Sequence, residues 1–76
     1  VSALDALRGR IEVPSTRTLQ LLRDLHTLHL CEARDAAREG DMSQARHLRR
    51  IADSVAATAT ALYRQRVALL AQRRSR

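Results

Sequence analysis

Seventy-six residues make at most one domain; its formal net charge is +6 at pH 7, and all fourteen basic residues are arginine. The single cysteine, Cys31, excludes an internal disulfide, and no apolar run approaches the ~20 residues that a bilayer-spanning helix needs. Hydrophobic residues reach 45%, but much of that is alanine, Tyr63 is the sole aromatic, and Phe and Trp are absent, so the core lacks the large side chains that usually supply buried area and a partner is expected to complete it.

In chain order, the first expected helix covers residues 3–12. Ser2 is placed to cap it, Asp5 stands three residues on, and Leu4, Leu7 and Ile11 recur at helical spacing. The stretch VSALDALRG lacks a basic leader and an apolar core, which points to a cytoplasmic protein. Pro14 ends this helix, because the residue before proline disfavours helical backbone, and Ser15 or Thr16 caps the next.

The second helix is expected over residues 16–38. Leu19, Leu21, Leu22, Leu25, Leu28, Leu30, Ala33, Ala36 and Ala37 cover roughly 200° of its circumference at about 100° per residue, wider than the ~100° stripe of a single contact. This helix is therefore expected to touch more than one neighbour. The stretch REGDMSQAR (38–46) follows. Gly40 suits the left-handed residue that closes a helix, Asp41 suits the cap of the next, and Gln44 completes a D-x-x-Q capping box. A stop followed at once by a start predicts a short turn between antiparallel helices.

The third helix is expected over residues 42–73, with a basic tail at 73–76. Leu48, Val55, Leu62 and Leu69 recur every seven residues, which favours a coiled-coil-like crossing. The stretch VAATATAL (55–62) is uncharged and small enough for another helix to approach closely. At ~1.5 Å per residue this helix overhangs the start of the second, and the 3–12 helix is expected to cover the overhang. The fold class is thus all-α, a single domain built as an antiparallel helical hairpin with a short N-terminal helix.

Charge is unevenly placed. Residues 1–45 hold six Arg and seven acidic residues, and residues 46–76 hold eight Arg against Asp53 alone, so the halves carry −1 and +7. Such a half attracts nucleic acid, anionic lipid or an acidic protein face, or is simply a solvated helix face. Arg46, Arg49, Arg50, Arg64, Arg66, Arg73 and Arg74 are the candidates for phosphate contact in a dimeric nucleic-acid-binding hairpin, since the guanidinium fork suits phosphate. Beyond the lone Tyr63 no aromatics for base stacking, and no DNA-binding motif, accompany them.

His26, His29, Cys31 and Glu32 form a string of ligand-type residues, with His47 the other plausible addition, but a zinc site wants four ligands and the fourth is not evident. His29 is expected at a helix contact, bonded to Glu32 or to a partner, and no metal or other cofactor is expected. LDALRGRIE (4–12) resembles the opening helix of the all-helical chorismate mutases. Pro14 breaks that helix, though, and Leu25 and Ala36 stand where later cationic residues would bind substrate carboxylates. No nucleophile–base constellation or phosphate loop is present either, so neither an enzyme nor a small-molecule substrate is expected.

The start SALDAL, a helix ending in basic and alanine residues, the turn REGDMSQA with Arg38, Gly40 and Gln44, and a long final helix of Leu and Ala together resemble the small E-type co-chaperones of type III secretion needle subunits. The resemblance covers most of the chain. It implies a non-catalytic hairpin that stabilises a tetratricopeptide-like chaperone, the pair holding the needle subunit in the cytoplasm before export. Leu22, Leu25, His29, Leu48, Val55 and Leu62 are the residues expected to carry the contact with another protein or with a second copy; the same residues also suit the hairpin's own seam.

Overall fold

A computed structural model describes residues 13–75. The expected helix over 3–12, its cap and its Leu4, Leu7 and Ile11 stripe lie outside the described residues, as does Arg76. Two helices follow, α1 (Thr16–Arg38) and α2 (Met42–Arg74), packed against each other as an antiparallel hairpin. There is no strand among the described residues, and the fold is all-α.

Local chemistry sets the ends of both helices. Ser15 is the residue that caps α1: its backbone is extended, and its hydroxyl accepts from the Thr18 N–H at 3.0 Å. At the other end Gly40 takes φ +83°, its N–H donates to the Ala37 carbonyl at 3.0 Å, and the Asp41 N–H donates to the Ala36 carbonyl at 2.9 Å. This pair of bonds is the Schellman closure, which satisfies two carbonyls that the helix itself leaves open.

Asp41 then caps α2, its carboxylate accepting from the Gln44 N–H at 3.0 Å. The expected capping box forms only on this side. Its return bond needs the Asp41 N–H, which the Schellman closure already holds on Ala36. So one stop and one start share a residue, and the connection shrinks to Glu39, Gly40 and Asp41. Nothing lies within 4 Å of a Cβ built on Gly40, so Gly40→Ala meets no clash and its cost is purely that of left-handed backbone. A loss of about 1 kcal/mol in urea denaturation is expected, and less for Gly40→Asn.

The seam follows a coiled-coil repeat on both helices. On α1 it runs Leu19, Leu22, His26, His29, Ala33 and Ala36, with steps that alternate between three and four residues. On α2 two rails alternate: Ala45, Ala52, Ala59 and Arg66 form one, and Leu48, Val55, Leu62 and Leu69 the other. All of these residues are buried or half-buried. One rail of α2 is thus small and the other branched, apart from Arg66 at the end. Helix separation follows side-chain size at the contact, so the alanine rail permits close approach.

Among the described residues the buried set is small: Ala33, Ala36, Ala45, Leu48 and Ala52, with Ala52 at 0% exposure. Four of the five are alanines, whose burial contributes far less than the ~1.5–3 kcal/mol of a buried leucine. The core is concentrated at the turn end, and the other half of the seam is only half-buried.

Arg66 closes the far end. It occupies a seam position, half-buried, and its Nη1 donates to the Pro14 carbonyl at 2.7 Å. The aliphatic stem can lie along apolar neighbours while the guanidinium reaches a carbonyl that the helix start leaves free. A hydrogen bond from a charged donor, partly exposed, makes Arg66→Ala an expected loss of about 1–2 kcal/mol, read from the thermal midpoint, with Arg66→Lys intermediate.

Candidate protein interface

The apolar arc of α1 divides into two stripes. One is the seam. The other is Leu21, Leu25 and Leu28, spaced by four and then three residues, which the hairpin leaves 58%, 38% and 51% exposed. On a helical wheel this stripe lies about 100° from the seam. The width of the arc therefore has a physical meaning: α2 covers one side of it and nothing among the described residues covers the other.

The opposite flank of the seam is grooved. Toward the open end Leu19, Leu22, His26, Ala56, Ala59 and Tyr63 line an apolar trough. Toward the turn a second trough is floored by Leu30, Ala33, Met42 and Ala45 and edged by Arg34, Arg46 and Arg49. Tyr63 and Met42 are more than half exposed.

Of the six residues expected to meet a partner, Leu25 is exposed on the outer stripe. Leu22, His29, Val55 and Leu62 are half-buried at the seam, and Leu48 is buried there. Sequence reasoning missed Leu21 and Leu28 as surface residues. Their signal was present in the i, i+4, i+7 spacing with Leu25, hidden because the seam leucines Leu19 and Leu22 stand on either side of Leu21.

His29 does not turn to Glu32. Its Nδ1 lies 2.8 Å from the Leu25 carbonyl one turn back, while Glu32 is exposed. The imidazole thus satisfies a polar edge within its own helix and leaves its remaining surface at the seam. Among the described residues no three His, Cys, Asp or Glu side chains gather in the manner of a metal site.

The arginines do not form one field. Arg46, Arg49 and Arg50 are exposed near the turn, and Arg64, Arg73 and Arg74 are exposed toward the other end of α2, with Arg50 and Arg64 about 21 Å apart along the axis. Arg73 and Arg74 stand in the last turn of α2, where cations meet the negative end of the helix dipole. Arg66 is held on Pro14. Arg34, from the other helix, joins Arg46 and Arg49 at the turn-end trough.

Comparison with protein-family models, with curated proteins and with solved structures found no match. No helix among the described residues is long and apolar enough to cross a membrane.

Proposed function

We propose that the chain is a non-catalytic protein–protein adaptor, a small cytoplasmic co-chaperone of the kind its sequence resembles, which stabilises a tetratricopeptide-like partner holding a secretion needle subunit. One observation carries this reading: among the described residues, a hairpin whose buried core is four alanines and a leucine leaves Leu21, Leu25, Leu28, Met42, Tyr63 and Val67 exposed. Apolar surface on that scale beside so small a core is characteristic of a subunit that is completed by association.

A stacked helical repeat offers the partner surface that a hairpin needs, a concave row of helices against which both α1 and α2 can lie. The open half of the hairpin is the place for it. There Leu22, Val55 and Leu62 are only half-buried, and Tyr63 is exposed beside them. The arginines around the rim steer and orient an acidic partner face.

The test is co-purification from native cells with tagged chain, followed by identification of the bound proteins. A stoichiometric tetratricopeptide-like protein, lost with Tyr63→Asp, is the expected result; recovery of the tagged chain without one overturns the secretion reading.

The three guanidinium-bearing residues around the turn-end trough, Arg34, Arg46 and Arg49, favour a second reading, a nucleic-acid-binding hairpin dimer. Nucleic acid retained through purification and released steeply with salt would support it against the adaptor. Arg46→Ala combined with Arg49→Ala would then lower the slope of affinity against salt by about 2.

A further inference from the structure

We infer that the outer stripe of α1 is a self-recognition surface: two copies pair through Leu21, Leu25 and Leu28 with their α1 helices antiparallel. This rests on the adaptor reading only in taking exposed apolar surface to be surface that is covered by association. It deepens that reading by assigning this flank to a second copy and leaving the grooved flank, with Tyr63, for the unlike partner.

The charges beside the stripe select the occupant. Arg17 lies eight residues before Leu25, and Glu32 and Asp35 lie seven and ten residues after it. All three are exposed. On the helical wheel Arg17 and Asp35 fall at the same angle, on the outer margin of the stripe, and Glu32 falls within it. The stripe is therefore basic at one end and acidic at the other, with Leu25 midway.

A two-fold axis perpendicular to α1 near Leu25 reverses the helix while keeping each margin on its own side. It sets Leu21 against Leu28 of the second copy, Leu25 near its own equivalent, and each Arg17 against the other copy's Glu32 and Asp35. A parallel pairing would bring Arg17 level with Arg17 on the opposite margin and the carboxylates level with each other, with no opposite charge in reach. The antiparallel pair is thus both apolar-matched and charge-matched by one chain alone, the condition an isologous interface must meet. Asp24 falls about 20° beyond Arg17 and Asp35 on the wheel and comes near its own equivalent at the two-fold axis, so the charge matching belongs to the two ends of the stripe and not to its centre; there Asp24 accepts from Gln20 Nε2 at 2.9 Å within its own helix.

Charge inversion tests this directly. Two variants are made, Arg17→Glu and the double change Glu32→Arg with Asp35→Arg, and sedimentation equilibrium is run at about 50 mM salt, where exposed pairs are least screened. The wild-type chain is expected to dimerise with a Kd on the order of 10 µM, as befits a small interface. Each variant alone sets like charges together and is expected to weaken self-association about tenfold or more. Mixed one to one, the two variants place opposite charges together at both ends and are expected to recover a dimer within about threefold of wild-type affinity.

Leu25→Asp is expected to give a monomer whose helical circular dichroism is unchanged. Should it fail to fold, the mixing experiment still decides, because a folding defect in either variant is not repaired by the other. A wild-type chain that stays monomeric at roughly 300 µM overturns the inference. So does a mixture that associates no better than its components, or self-association indifferent to all of these changes.

Discussion

Replacing Ala52 with leucine is expected to lower the unfolding free energy of the hairpin by about 2–3 kcal/mol. Ala52 is 0% exposed, the most enclosed residue of the described chain, and stands midway along the alanine rail of α2. Three added carbons have no void to enter. They must push α1 away from α2 or adopt a strained rotamer, and in a narrow seam either change is felt by the neighbouring turns. The whole chain has only about 4–11 kcal/mol to lose at the usual 0.05–0.15 kcal/mol per residue, and its small core argues for the lower part of that range.

The control is Ala57→Leu on the exposed side of α2, where the same change in helix propensity and volume is expected to stay within about 0.5 kcal/mol. Urea denaturation followed by circular dichroism at 222 nm reads both. If Ala52→Leu matched the control or stabilised the chain, the alanine rail would not be a line of close approach between α1 and α2.

The caps and the turn were legible because they depend on a few residues acting locally. Gly40 and Asp41 announce the stop and the start, and the branched rail Leu48, Val55, Leu62 and Leu69 announces the coiled-coil repeat. The alanine rail was not legible as a rail, since alanine is equally at home on any face of a helix.

Nor did hydrophobicity say which side of α1 faces α2. A choice by greasiness alone would place Leu21, Leu25 and Leu28 inward and His26 and His29 outward, and the structure does the reverse. The reason lies at the turn. A connection of three residues forces the helices together there, and only small side chains fit, so Ala33, Ala36 and Ala45 set the phase. Carried back along α1 in alternating steps of three and four, that phase brings His29, His26, Leu22 and Leu19 to the seam. Three leucines are left outside, and they became the candidate interface. A wheel of α1 by itself carries no record of how tight the turn is.

Leu48 and Leu25 separate stability from association, and they do so in opposite ways. Among the described residues Leu48 is the one large side chain in the buried set, at 8% exposure, and Leu48→Ala is expected to cost about 2–4 kcal/mol through lost transfer energy and the space left behind. In a chain of this size that leaves a substantial unfolded fraction near body temperature, and self-association falls with it. The loss is indirect, because no interface group has changed. Raising the protein concentration therefore restores both folding and dimer together, since pairing draws on the folded state alone and adds about 2.7 kcal/mol once the free chain stands a hundredfold above its Kd. Leu25→Asp behaves otherwise. It is expected to leave the monomer's unfolding free energy within about 0.5 kcal/mol of wild type and to abolish pairing at every practical concentration, because a carboxylate is buried at the centre of the contact. Thermal unfolding across a hundredfold range of concentration distinguishes the two. The midpoint of Leu48→Ala is expected to start low and climb with concentration, whereas that of Leu25→Asp is expected to stay flat. A climbing line for both would mean that pairing does not run through the outer stripe, and a flat line for both would mean that the folded chain does not pair at all.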